Sequence, residues 1–274
     1  MKKKSFAIIG DPITHSLSPV LHNYWFEKYK IEAKYSLLNI KEKDIENVAI
    51  KIRNKELSGL NITLPYKQKI IPFIDKLVND AKSTNSVNTI FLDETDTVIG
   101  ENTDVFGLQA AYLKEITDVR NKKALVIGAG GVSPSVIFAL QKSKINNIAI
   151  INRTHEKSIF LKKKFNFLHI LEWSSLKQEI KNFDIIINAT SLGLKNGEDF
   201  QFNFDSVKDS MIYIDTIYNP LETKTLKHLK ENKIKTFNGL DMFIYQGQKS
   251  FYLWNKINPE IDDKLIDLLV SKLK

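Results

Sequence analysis

Lys67 and Asp104 each close a short stretch carrying amides and hydroxyls in the first half of this chain. Lys67 ends Asn61-Ile62-Thr63-Leu64-Pro65-Tyr66-Lys67, and Asp104 ends Asn102-Thr103-Asp104. One ammonium donor and one carboxylate are enough to interconvert a carbonyl and an alcohol, a reaction in which oxygen must gain or lose a proton. Ser16, Ser18, Asn61, Thr63, Asn88 and Asn102 are the other polar residues expected at strand ends. Their hydroxyls and amides suit a substrate that carries several hydroxyl groups. His15 and His22 alone make a poor metal site, so no metal is expected. Plainer roles exist for each residue. Ser18 can cap a helix that begins at Pro19, Asn88 can brace a turn, and Lys67 can be a solvated lysine.

The second half carries a different signal. An apolar run, Ala124 to Ile127, meets Gly128-Ala129-Gly130-Gly131, then an amphipathic stretch from Val132 to Lys142 and a second apolar run, Ile148 to Ile151. This is a βαβ unit of roughly the usual 30 residues. Glycines let a pyrophosphate approach backbone N–H groups at the positive end of the following helix. Ser133 takes the sixth place of the G-x-G-x-x-G pattern, where a small residue still permits close helix–strand packing. The plain alternative is a glycine-rich connection that binds nothing. At the end of the second strand stand Asn152-Arg153-Thr154, with Lys157 a turn later and no carboxylate for a ribose 2′-hydroxyl. A guanidinium there suits a 2′-phosphate, so NADP is favoured over NAD. Only Arg53, Arg120 and Arg153 are arginines among 40 Lys+Arg residues, which makes the placement of Arg153 informative.

Those residues need elements to hold them. In the first half, strands are expected over Phe6–Gly10, Lys34–Ile40, Gly59–Leu64, Val87–Leu92 and Val98–Gly100. Helices are expected from Pro19 through Tyr29, over Lys41–Arg53, from Pro65 to about Leu77, and after Asp104, the last bridging two domains. In the second half, further strands are expected over Leu168–Leu171, Phe183–Ala189, Met211–Asp215 and Lys235–Phe237. Helices should cover Ser174–Ile180 and Leu221–Glu231, and a long one should run from Gly239 through Gln246 and Trp254. This alternation predicts an α/β fold of two domains with a parallel, doubly covered sheet, and a substrate in the cleft between domains at strand ends.

The chain has 274 residues, 43% of them hydrophobic and 26% charged, as in a globular protein of two modest domains. It has no cysteine, which excludes disulfides, thiolate metal sites and a cysteine nucleophile. Its formal charge of +8 is spread along the whole length rather than clustered, so nucleic acid is not an expected partner. The apolar run after the first lysines is interrupted at Asp11-Pro12, and nothing approaches a membrane span. A cytoplasmic protein without a membrane partner is expected.

Taken together, the motifs resemble shikimate dehydrogenases. The resemblance is carried by Gly10-Asp11-Pro12 with Ser16-Leu17-Ser18-Pro19, Asn61 to Lys67, Val87-Asn88-Thr89 and Asn102-Thr103-Asp104. It continues through Gly128 to Gly131, Asn152-Arg153-Thr154, Asn188-Ala189-Thr190-Ser191 and the Gln246 helix, covering residues 6 to 255. It implies a substrate-binding and catalytic domain (1–104, completed by C-terminal helices 240–274) and a Rossmann-type NADP-binding domain (105–239). The implied activity is reversible, NADPH-dependent reduction of 3-dehydroshikimate to shikimate. The resemblance assigns Lys67 and Asp104 to catalysis, Ser16 and Ser18 to the substrate carboxylate, and Thr63, Asn88, Asp104, Tyr218 and Gln246 to the rest of the substrate. It assigns Gly128, Ala129, Gly130, Gly131, Val132, Asn152, Arg153, Thr154, Lys157, Ile217 and Gly239 to the cofactor. Asp241 stands where the family often has glycine, and Asn79 where it often has an acidic residue. A monomer or homodimer is expected. Rival readings are a quinate/shikimate dehydrogenase with relaxed substrate and cofactor choice, and a non-catalytic dinucleotide sensor.

Overall fold

The computed structural model describes residues 3–194 and 198–273. The chain forms two compact units, Met1–Gly107 with Ile244–Lys272, and Leu108–Phe243 with Leu273–Lys274. The first unit contains β1 (Lys4–Gly10), α1 (Ser18–Lys28), β2 (Ala33–Asn39), α2 (Ile45–Arg53), β3 (Gly59–Ile62), β4 (Lys76–Leu77), α3 (Asn79–Thr84), β5 (Thr89–Leu92) and β6 (Val98–Glu101). Helix α4 (Thr103–Ala111) crosses the division between units. The second unit continues with β7 (Lys123–Ile127), α5 (Ser133–Lys142), β8 (Asn147–Ile151), α6 (His155–Lys164), β9 (His169–Leu171), α7 (Leu176–Glu179), β10 (Ile185–Asn188), β11 (Ile212–Asp215), α8 (Lys224–Glu231) and β12 (Lys235–Phe237). Helix α9 (Leu240–Asn255) crosses back, and α10 (Asp263–Ser271) ends the chain.

The second sheet is wholly parallel, in the order β12-β11-β10-β7-β8-β9. Its central strands are buried on both faces, which is why Ala124–Ile127, Ile148–Ile151 and Ile185–Ile187 are continuous apolar runs rather than alternating ones. The order reverses between β7 and β10, the kind of switch point at which strand C-terminal ends open a ligand crevice. The first sheet is mixed, in the order β2-β1-β3-β5-β6-β4, with the β5–β6 hairpin antiparallel. Helix α2 covers one face of it through Ile45, Val48, Ala49 and Ile52, a helical i, i+3, i+4, i+7 stripe, all buried. Helix α9 is tied to this sheet by Trp254, whose indole N–H donates to the Ile90 carbonyl at 3.0 Å. Among the described residues no helix is long and apolar enough to cross a membrane.

Two local expectations change, and one element was not expected. Ser18 does not cap α1: it is the first helical residue, and its N–H donates to Ser16 Oγ at 3.3 Å, so Ser16 closes that turn. Residues after Pro65 form successive turns and a 3-10 turn over Ile71–Phe73, not a helix. Pro72 lacks an N–H and disfavours helical backbone at Ile71. Beyond it, Asp75 anchors the strand β4 by accepting the Val98 N–H at 2.8 Å and the Arg53 guanidinium at 2.7 and 2.8 Å. The short helix α3 was not legible in the apolar pattern, being polar except for Ala81.

Candidate active site

Lys67 leaves a turn whose backbone is fixed from the opposite side: its carbonyl accepts the Val87 N–H at 2.8 Å. That bond sets the lysine beside the start of β5. Asp104 lies in the first turn of α4, where Asn102 Oδ1 accepts the Asp104 N–H at 3.1 Å and the Val105 N–H at 3.4 Å. Asn102 therefore serves α4 as a cap, and its own amide donates to Ser86 O at 2.9 Å and Thr84 Oγ at 3.1 Å. With both backbones held, Lys67 Nζ donates to Asp104 Oδ2 at 2.6 Å, and the side chains are only 11% and 8% exposed. Asn88 Nδ2 meets the other oxygen, Asp104 Oδ1, at 2.9 Å and lies 3.4 Å from Gln246 Oε1. The arrangement is a buried, oriented ammonium with its carboxylate and an amide beside it. It can donate a proton to an oxyanion or remove one from an alcohol.

Behind this group lies a polar layer that sequence reasoning missed in part. Ser250, wholly buried on α9, exchanges hydrogen bonds with Thr89 Oγ at 2.8 Å and Thr103 Oγ at 3.1 Å and accepts from Asn61 Nδ2 at 3.1 Å. Asn61 also donates to the Asn88 carbonyl at 3.0 Å and accepts the Tyr35 hydroxyl at 2.7 Å. Asn88 Oδ1 in turn accepts the Thr103 N–H at 2.7 Å. Thr89 and Thr103 fix the Asn88 side chain directly, Ser250 stands behind both of them, and Tyr35 reaches the Asn88 backbone through Asn61. The one sequence clue to Ser250 is its position one helical turn after Gln246.

Ser16 and Ser18 share a hydrogen bond, Oγ to Oγ at 3.1 Å. Tyr35 links them to the layer just described. Burial holds its phenol well above the ordinary value, opposed by a hydrogen bond from Ser18. Thr63 follows β3, its N–H donating to Ile9 O at 2.9 Å. Ser16, Ser18, Thr63, Lys67, Asn88, Asp104 and Gln246 thus all belong to the first unit. Of the two departures noted in the sequence, Asn79 is accommodated locally: its Nδ2 donates to the buried Glu101 carboxylate at 2.5 Å, where a second carboxylate would repel it. Asp241 lies in the first turn of α9, where the helix dipole favours a negative charge, but partial burial and the nearby Glu115 push its carboxyl above the ordinary value.

Tyr218 and all the proposed cofactor residues lie in the second unit. Gly128 has φ +110°, and a Cβ there would come within 2.8 Å of the Ala189 carbonyl, so only glycine fits the turn. Gly130 differs: a Cβ would meet only that carbonyl, at 3.9 Å, leaving the space above the loop open to another molecule. The loop is braced by Ala129 N–H to Asn152 Oδ1 at 3.0 Å and by Gly130 N–H to Ser133 Oγ at 2.9 Å. Ser133 in the sixth position is therefore a loop brace as well as a small residue. With helix α5 starting at Ser133 and Gly131-Val132 leading into it, this cradle fits a pyrophosphate. Arg153 is 73% exposed beyond β8 and pairs with Glu198 at 3.0 Å, while Thr154 and Lys157 flank it on the surface. Tyr218 stacks on Phe243 at 4.7 Å, and Gly239 N–H donates to the Ile217 carbonyl at 2.8 Å.

Residues 8–90 match the model of the shikimate dehydrogenase substrate binding domain, and residues 111–237 match that of shikimate / quinate 5-dehydrogenase. The chain belongs to the shikimate dehydrogenase family. It is 47% identical to the shikimate dehydrogenase (NADP(+)) of Pelagibacter ubique over 267 residues, covering 97% of this chain and 99% of the relative. A crystallised shikimate dehydrogenase in complex with NADP+ superimposes with a TM-score of 0.90 at 33% identity, over 100% of this chain and 96% of its own. The Thermus thermophilus enzyme, in complex with NADP(H) and shikimate, gives 0.87 at 27% identity over 98% of this chain and 100% of its own. Family membership places the mixed first sheet in a substrate-binding domain and gives the parallel second sheet a Rossmann-like fold.

Proposed function

We propose that this chain catalyses the reversible, NADPH-dependent reduction of 3-dehydroshikimate to shikimate, with Lys67 and Asp104 as its catalytic residues. The observation that carries the reading is the buried Lys67–Asp104 pair at 2.6 Å, with the Asn88 amide on the second carboxylate oxygen. NADPH, when bound, supplies the hydride to the ketone carbon. Lys67 faces the oxygen on which negative charge then develops, stabilises it as an ammonium, and gives it a proton. In the oxidative direction the same nitrogen takes the hydroxyl proton. Asp104 orients the ammonium and accepts a substrate hydroxyl, and low exposure keeps bulk water from weakening both contacts.

Ser16 and Ser18 receive the substrate carboxylate as hydroxyl donors. Thr63, Asn88, Gln246 and Tyr218 bind its hydroxyls. On the cofactor side, residues Gly128 to Val132 hold the pyrophosphate, Asn152 keeps the loop shaped, and Ile217 and Gly239 flank the nicotinamide. Arg153, with Thr154 and Lys157, receives the 2′-phosphate. Initial rates with shikimate and quinate, each against NADP and NAD, test this directly. Turnover should be fastest with shikimate and NADP. Equal rates with quinate would favour the relaxed enzyme, and no turnover with any pair would leave only a binding protein.

A further inference from the structure

Strands β10 and β11 end in register, Asn188 opposite Asp215. Asp215 is fully buried, and three connections converge on its carboxylate. Oδ1 accepts the Ile217 N–H at 3.0 Å and Asn188 Nδ2 at 3.2 Å, while Oδ2 accepts the Thr223 hydroxyl at 3.1 Å. Thr223 in turn caps α8, its Oγ accepting the Leu226 N–H at 3.3 Å. Asn188 Oδ1 accepts the Thr190 N–H at 3.1 Å, and the Asn188 carbonyl accepts the Thr216 N–H at 3.1 Å. The Ile217 peptide is thus gripped at both ends: its N–H by Asp215, its C=O by the Gly239 N–H. A Cβ on Gly239 would lie 2.4 Å from Thr216 O, so this backbone contact leaves no slack.

We propose that Asp215 is a positioning residue for the cofactor, whose ionised carboxylate fixes the Thr216–Tyr218 backbone so that protonating it weakens NADP(H) binding. The proposal rests on the reading that Ile217 and Gly239 flank the nicotinamide. The Ile217 N–H and the Asn188 amide on Oδ1 can only donate, a pair matched to the anion, whereas the Thr223 hydroxyl on Oδ2 donates to the anion and would have to turn and accept from a carboxyl O–H. Yet burial pushes the Asp215 pKa up to about 7, with the Ile217, Thr223 and Asn188 hydrogen bonds opposing the rise and the Asp199 charge adding to it. The other titratable groups facing it are the phenols of Tyr213 on β11 and Tyr112, just past the end of α4. The anion is therefore held by dipoles alone and is lost within the working pH range.

The test is the dissociation constant of NADPH for the full chain, read from cofactor fluorescence between pH 6 and pH 8. Wild type, D215N, T223V and T223S are compared. In wild type the Kd should rise roughly 10-fold from pH 8 to pH 6, as one required deprotonation near pH 7 dictates. The 2′-phosphate titrates near the same range in every variant, so the ratio of wild type to D215N isolates the carboxylate. D215N should bind weakly at pH 8 and lose this part of the pH dependence. T223V removes one donor to the anion and should move the inflection to higher pH, whereas T223S keeps it in place. Identical pH profiles for wild type and D215N, or an unmoved inflection in T223V, would overturn the proposal. Should D215N fail to fold, the two Thr223 variants still decide. No NADPH binding at any pH would instead overturn the cofactor reading, and the proposal with it.

Discussion

The two units bury charge in opposite ways. In the first, Asp104 faces an ammonium at 2.6 Å, and both partners lie under a layer of amides and hydroxyls. In the second, the guanidinium proposed to bind the 2′-phosphate stands 73% exposed on the rim, and the buried carboxylate, Asp215, is held by hydrogen-bonding dipoles with no counter-charge on it. A buried charge with a counter-charge suits chemistry, because the ammonium can be oriented and kept dry while it exchanges a proton. A buried charge held by dipoles alone suits backbone positioning and makes that positioning sensitive to pH. A rim cation, screened by water and salt, suits reversible capture of a large anion.

The sharpest way to break this contrast is to turn Asp104 into a second Asp215. Lys67→Ala leaves the Asp104 carboxylate facing donors alone, and kcat should fall ~100- to 10,000-fold with a much smaller rise in the KM for shikimate. Steady-state kinetics check it, and a change confined to KM would mean that Lys67 only binds. Arg153→Ala probes the rim. The KM for NADP should rise roughly 10- to 150-fold, corresponding to ~1.5–3 kcal/mol of charge-assisted contact, with NAD use nearly unchanged. An equal loss for both cofactors would make the residue structural.

Asp215→Asn separates stability from binding. The folded-state pKa of about 7 lies above the unfolded value, so the folded chain holds a proton that the unfolded chain has released between about pH 4 and pH 7. Stability from this group therefore falls as pH rises through that window, and above it the buried anion is a burden. D215N should be more stable than wild type by about 1–3 kcal/mol at pH 8, with the difference shrinking toward pH 4. Denaturant melts at the two pH values measure it, and a variant less stable at pH 8 would show that the anion's hydrogen bonds outweigh its desolvation. The smallest effect is expected at Glu198, whose carboxylate pairs with Arg153 at 3.0 Å with both side chains more than 70% exposed. Removing a pair of that kind with E198Q should lower the KM for NADP only ~1.5- to 5-fold.

Much of this was legible in the sequence, for physical reasons that differ by region. Strands buried on both faces read as apolar blocks, so β7, β8, β10 and β11 are visible at once, as is the glycine turn that joins β7 to α5. Lys67 and Asp104 could be singled out because Lys67 follows an Asn-x-Thr at the end of an apolar strand and Asp104 ends the polar run Asn102-Thr103-Asp104. Ser250 could not, because it lies 161 residues from its partner Thr89 and its place one helical turn after Gln246 is too weak a signal by itself. Asp215 was visible only as the last residue of a strand; its importance comes from Asn188 and Thr223, which the topology brings to it. The helix expected after Pro65 failed because Pro72 and the Asp75 anchor act against an otherwise helical composition.

If Lys67 and Asp104 act as one unit, a double-mutant cycle on kcat for shikimate oxidation will show it. Lys67→Ala and Asp104→Asn should each lower kcat, the second because the lysine loses its orienting charge. The double variant should be far less impaired than the product of the two single losses, since groups acting together cannot be lost twice. Fully multiplicative losses would contradict the account, and a Lys67→Ala enzyme with unchanged kcat would remove the lysine from the chemistry.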